Sequence, residues 1–190
     1  MRCSPRQLNA TKVKTMTFTS DANRIRCESP YGFNHTLPSW SPDDWSVAFL
    51  GELGEAANIL KKLNRSRDGV PGNKVDDGVL KKSLAEEIAD AVIYFDLFAQ
   101  SLGVRAPWDN HLKTPVTFMG KIGLSARMME IFREFFELTI RYQMRDELRE
   151  LRVFAACEFF AIEAGFRLSE VCDFVFDRKS HEIKYKVDWL

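Results

Sequence analysis

Val47-Ala48-Phe49-Leu50-Gly51-Glu52-Leu53-Gly54-Glu55-Ala56-Ala57-Asn58-Ile59-Leu60 is small or apolar at nearly every position, with two glutamates three residues apart. A helix that is apolar all round is a buried one. The pattern recurs from Leu84 to Ala99, where Glu86, Glu87 and Asp90 stand among Ile88, Ala89, Ala91, Val92, Ile93, Phe95, Leu97 and Phe98. A spacing of three puts Glu52 with Glu55, and Glu87 with Asp90, on one face of their respective helices. If the two helices pack antiparallel, four carboxylates converge, and ionised carboxylates in a dry interior require compensation. Arg or Lys side chains, shared protons and a hard divalent cation are the candidates. Oxygen-only ligands without paired His or Cys favour Mg²⁺, with Mn²⁺ as the alternative, over zinc.

These residues resemble the all-α nucleoside triphosphate pyrophosphatases, a superfamily that includes MazG-like enzymes, dCTP pyrophosphatases and dimeric dUTPases. The signature E-x-x-E followed by E-x-x-D is matched by Gly51-Glu52-Leu53-Gly54-Glu55-Ala56 and by Glu86-Glu87-Ile88-Ala89-Asp90-Ala91-Val92-Ile93-Tyr94. The likeness runs from Trp40 to Val104. It departs in a long insert carrying Arg67-Asp68-Gly69-Val70-Pro71-Gly72-Asn73 and Asp76-Asp77-Gly78, a loop composition that leaves both helices intact.

The resemblance implies Mg²⁺ held by Glu52, Glu55, Glu87 and Asp90, a metal-activated water, and hydrolysis of a (deoxy)nucleoside triphosphate to monophosphate and pyrophosphate. Glu52 or Glu55 would be the base. Tyr94, one turn after Asp90, matches a tyrosine of the dCTP pyrophosphatase branch; Trp40 and Trp45 flank the helix start, where relatives place base-stacking aromatics. Asn58, Lys61 and Lys62 follow the first acid pair, so Tyr94, Asn58, Lys62 and Trp45 are the candidate substrate contacts. Near the end, Phe176-Asp177-Arg178-Lys179-Ser180 is similar to a Phe-Asn-x-x-Ser segment of phage-type relatives, with Asp in place of Asn.

The expected fold is all-α, a bundle of four to five helices. Ser41-Pro42-Asp43-Asp44 predicts a strong start for a helix that runs to about Leu63. A second helix spans from just after Asp77 to Ser101, with Gly103 as its stop. Thr114-Pro115 predicts a third start, and a turn is assumed between Arg141 and Asp146. Gly165 closes that stretch, and Ser169 is the expected cap of a last helix to about Lys179. Residues 1–39 read as an irregular arm, with a short strand or a solvated stretch around Val13 to Phe18, or a transit-like composition in Met1 to Ser20.

A faint internal repeat divides the remainder into residues 40–112 and 113–190. Val47–Glu55 overlays Val116–Leu124, with Val, Phe and both glycines coinciding, so the second half reads as a degenerate copy of the first helix pair. Lys121, Leu124, Arg149 and Arg152 then replace the acids. This copy would hold no metal, and its cations would face phosphate, the acidic cluster or solvent.

Composition bounds the rest. In 190 residues, 45% are hydrophobic, 28% are charged and the formal net charge is zero, so there is no electrostatic footprint for nucleic acid. No apolar run approaches the ~20 residues of a membrane span. Cys3, Cys27, Cys157 and Cys172 lack metal-ligand spacing and suit reduced thiols in a cytoplasmic protein. The phenylalanine-rich second half predicts apolar surface left over for a homodimer. Two other functions fit the same acids: a non-catalytic helical interaction module with ion-paired carboxylates, and a metal-dependent hydrolase of another nucleotide, such as a phosphoribosyl nucleotide.

Overall fold

A computed structural model describes residues 15–118, 120–141 and 147–183, and among them every regular element is helical. Seven α-helices follow in order: α1 (Ser20–Glu28), α2 (Pro42–Arg67), α3 (Asp77–Ser101), α4 (Pro107–Lys113), α5 (Leu124–Arg141), α6 (Glu147–Ala164) and α7 (Leu168–Glu182), with a 3₁₀ turn at Leu37–Ser39. Five are long and make the expected bundle. The two short ones, α1 and α4, close one end of it.

The start of α2 is as its sequence predicts. The Ser41 hydroxyl accepts from the Asp44 amide at 3.2 Å while the Asp44 carboxylate accepts from the Ser41 amide at 2.9 Å, and Pro42 takes the first turn. This reciprocal cap satisfies two groups that the helix leaves unpaired. Trp45, Phe49, Leu53, Ala56 and Leu60 then recur at helical spacing and are buried. In α3 the Asp76 side chain caps the first turn, accepting from Gly78 at 2.7 Å, and nearly every residue from Leu84 to Ala99 except Glu86, Glu87 and Tyr94 is buried. That burial makes α3 the central helix: α1, α2, α4, α6 and α7 all pack against it.

α2 and α3 run antiparallel: Leu60 and Leu63 share one end with Asp77 and Leu84, while Trp45 meets Ile93 and Leu97 at the other. Phenylalanines join the layers. Phe49 of α2 lies 5.3 Å from Phe95 of α3 and 4.5 Å from Phe135 of α5, and Phe95 meets Phe154 of α6 at 4.8 Å.

Several expectations are corrected. The 1–39 arm is not irregular throughout its described part, since residues 20–28 form α1 and dock into the core. Met16 and Phe18 before it are buried in extended chain, with no strand; their amides donate to Asp177 and Asp173 of α7, each at 2.8 Å. Gly32 returns the chain against α1 so closely that a Cβ there would lie 1.9 Å from the Arg26 carbonyl oxygen. The part of the arm before residue 15 is outside the described residues.

No helix starts at Thr114-Pro115. Proline opens a helix at Pro107 instead, and the described residues between Lys113 and Leu124 are non-helical, with Gly120 and Gly123 at left-handed φ values of 95° and 93°. The overlay of 116–124 on 47–55 therefore does not carry into structure: Gly51 and Gly54 are inside α2, whereas their counterparts are in a loop. Lys121 is exposed in that loop, and Arg152 is exposed on α6. The turn assumed within 141–146 falls between α5 and α6, on residues outside those described. α7 takes Arg167, not Ser169, as its N-cap, without a side-chain cap.

Candidate metal centre

Antiparallel packing of α2 on α3 brings together three of the four expected acids. Glu52, Glu87 and Asp90 each offer a carboxylate oxygen, and these atoms all lie within 4.8 Å of one another. Asp90 is the deepest, at 5% exposure; Glu52 and Glu87 are half-buried. Glu55 is exposed one turn along α2, at the rim of the cluster, where its charge still reaches Glu52 and Glu87.

The electrostatics show how crowded this charge is. Burial, and then the Asp90 charge, push the Glu52 carboxyl up to about 7, against the pull of Lys179. Glu87 is raised by burial, by Glu55 and by Asp90, and is eased by a hydrogen bond with Glu52. Carboxyls in hydrogen-bond contact share a proton, as like charges in one site require. Asp90 is also raised, since its burial outweighs the help of Lys179.

The cations come from a helix that the repeat did not point to. Lys179 Nζ of α7 lies 2.7 Å from Asp90 Oδ1, and Arg178 Nη1 beside it lies 2.7 Å from Glu86 Oε2. Arg26 of α1 adds a more distant positive charge toward Asp90. Lys121, Arg149 and Arg152 had phosphate, the acidic cluster or solvent as candidate partners; the largest positive influence on Glu52, Glu87 and Asp90 is instead Lys179. Glu86 pairs with Arg178 and more loosely with Lys82 at 3.8 Å, as an ion-paired acid outside the cluster.

A pocket of about 410 Å³ opens beside the cluster, with Asp90 and Lys179 in its wall. This is within the size range of small-molecule sites. Tyr94 and Trp45, two of the candidate substrate contacts, line it, and Trp40 joins them, its ring 4.6 Å from that of Trp45. Trp45 is anchored by its indole N–H, which donates to the Leu37 carbonyl at 3.2 Å. Two expected substrate contacts are not in the pocket. Asn58 is exposed farther along α2, and Lys62 lies near the opposite end, where its backbone carbonyl accepts from Asn73.

Asn23, Arg26, Phe33 and His35 line the pocket without having been singled out in the sequence. Asn23 and Arg26 are polar residues on the buried face of α1, so the helix shows no apolar periodicity. Arg26 is 3% exposed and lies 4.0 Å over the Phe176 ring, donating to the Phe176 carbonyl and the Ser180 hydroxyl, both at 3.3 Å. Lys179 lies within Phe176–Ser180, a segment whose pattern does stand out in the sequence.

Three hard carboxylate donors at this separation suit a small divalent cation such as Mg²⁺ or Mn²⁺. Fully ionised, they would set three negative charges against one close ammonium, that of Lys179. Comparison of the chain with protein-family models, with curated proteins and with solved structures gives no match.

Proposed function

We propose that this protein is a Mg²⁺-dependent nucleoside triphosphate pyrophosphohydrolase, producing a nucleoside monophosphate and pyrophosphate, with Mn²⁺ as a substitute ion. The observation that carries the reading is the convergence of Glu52, Glu87 and Asp90 beside an aromatic pocket whose wall includes Asp90. A divalent cation there would supply charge neutralisation for the triphosphate and acidify a water. Glu55, at the solvent edge of the cluster, would accept a proton as general base, and Glu52 is the other candidate. Trp40 and Tyr94, backed by the buried Trp45, offer flat apolar surface for a base or sugar, while Lys179 of α7 borders the position where phosphates would meet the acids. Tyr94 keeps its proton at neutral pH, since burial and then the Glu52 charge raise it further, so it serves as a hydrogen-bond donor.

Exposed Val47, Met129 and Phe136 support a homodimer, to be tested by sedimentation. Among the described residues no helix is long and apolar enough to cross a membrane, and a cytoplasmic setting is part of the proposal.

The test is pyrophosphate release from a panel of deoxy- and ribonucleoside triphosphates with Mg²⁺ or with chelator, comparing wild type with Glu52→Gln and Asp90→Asn. Metal-dependent release lost in both variants supports the reading. Silence across the panel from a folded, Mg²⁺-binding protein moves the substrate to another nucleotide, such as a phosphoribosyl nucleotide. The interaction-module reading is favoured by the ion pairs Lys179–Asp90 and Arg178–Glu86, and it predicts no turnover and no effect of Mg²⁺ on stability.

A further inference from the structure

Lys179 is bonded to the most deeply buried ligand of the candidate centre, and it also stands in the wall of the pocket. Its side chain keeps 35% exposure, so the ammonium is at the boundary between the acids and solvent. Neighbouring Arg178 is held by Glu86 at 2.7 Å and spans toward Glu182 at 3.7 Å, which fixes this turn of α7 without using Lys179. A flexible four-carbon stem ending in a point charge can exchange partners without moving the helix.

We propose that Lys179 is the resident counter-cation of the centre: its ammonium holds Asp90 in the absence of a divalent ion, and transfers to a phosphate oxygen of the substrate when that ion binds. The proposal rests on the reading of the site as a Mg²⁺ centre. It follows from charge and position together. The dication and the ammonium compete for the same carboxylate, so loading one releases the other. A triphosphate that reaches the acids from the aromatic pocket must pass Lys179, which is at the junction of the two. The released ammonium then meets phosphate oxygens, for which a compact cation is suited.

A purely structural ion pair behaves differently. Its loss would destabilise the fold equally with and without Mg²⁺, and would not alter metal affinity in the direction expected of a competitor. The experiment compares wild type, Lys179→Met and Lys179→Arg by calorimetric titration with MgCl₂ alone, by melting in chelator and in saturating Mg²⁺, and by triphosphate turnover. Lys179→Met should bind Mg²⁺ about tenfold more tightly than wild type, because a nearby positive charge is gone. Lys179→Arg should stay close to wild type in Mg²⁺ affinity. The melting deficit of Lys179→Met in chelator should close in saturating Mg²⁺, while its turnover falls about 100-fold, the cost of removing one transition-state charge contact.

Wild-type protein provides a second readout. Acetylation of Lys179 by acetic anhydride, followed by mass spectrometry, should accelerate several-fold on adding Mg²⁺ without nucleotide. Equal Mg²⁺ affinity of Lys179→Met and wild type overturns the proposal, as does unchanged acetylation at a Mg²⁺ concentration that shifts wild-type melting. Unchanged turnover of Lys179→Met overturns the phosphate contact. If Mg²⁺ shifts the melting of neither wild type nor Glu52→Gln, the metal-centre reading itself fails, an outcome distinct from the others.

Discussion

Ser20 donates its hydroxyl to Asp96 at 2.6 Å across 76 positions of sequence, and both residues are fully buried. Asp96 also accepts from Asn23 Nδ2 at 2.9 Å, Gln100 Nε2 at 2.8 Å and the Trp108 amide at 3.2 Å. One carboxylate thus joins α1, α3 and α4. The pocket wall supplied by Asn23 and Arg26 depends on that junction.

Asp96→Ala removes the shared acceptor and leaves several buried donors unsatisfied. It should destabilise the protein by about 3 kcal/mol, read by urea denaturation. Ser20→Ala removes one donor to the same oxygen and should cost about 1 kcal/mol. A loss for Asp96→Ala no larger than that of Ser20→Ala would show that the network does not anchor α1.

His111 predicts a pH dependence. It is buried beside Trp108 and Phe154, and burial pushes its imidazole down to about 4. Between about 6.5 and 4 the unfolded chain takes up a proton that the native state refuses, so this contribution is complete above 6.5 and declines as pH falls. The decline is on the order of 3 kcal/mol. Burial pushes Asp96 up to about 6, against its four hydrogen bonds. There the native state keeps a proton that the unfolded chain releases above 3.8, so its contribution runs the other way, declining as pH rises toward 6. Denaturation of His111→Gln from pH 7 to 4 should lose the acid-side decline and retain the opposite slope. The same profile in variant and wild type would refute the assignment.

Mg²⁺ should raise the melting temperature of wild type, since a ligand that binds only the folded state stabilises it. Asp90→Asn and Glu87→Gln should show a much smaller increase. In wild type, protons and the dication compete for the same carboxylates, so the increase should shrink as pH is lowered through about 7, where Glu52 takes up its proton. An Mg²⁺ effect as large in these two variants as in wild type would place the ion elsewhere.

The pocket and the distal end of α2 should separate kinetically. Tyr94→Phe preserves the half-buried ring while deleting the hydroxyl, and should raise KM by roughly tenfold if that group donates to substrate. Asn58→Ala and Lys62→Ala, away from the pocket, should leave KM and kcat unchanged. A rise in KM for either of them, with none for Tyr94→Phe, would move the substrate path along α2.

The all-α class, the start of α2, the course of α3 and the position of both acid pairs were legible in the sequence because their causes are local, whereas α2 runs past the expected Leu63 to Arg67. Ser41 and Asp44 cap each other within one turn, Asp76 caps α3, and residues three apart on a helix must share a face. That Glu52 meets Glu87 and Asp90 while Glu55 stays at the rim depends on the packing of α2 against α3, which neither helix specifies by itself. The partners of the acids were more remote still. Arg178 reaches Glu86 across 92 positions, and the arm reaches Asp96 through Ser20 and Asn23. Asn23 and Arg26 are polar on a buried face, so periodicity conceals α1; Gly120 and Gly123 delay the next long helix to Leu124, past the start that Thr114-Pro115 predicts. Local propensity is written in neighbouring residues, whereas a buried charge takes its partner from whichever helix the folded core places against it.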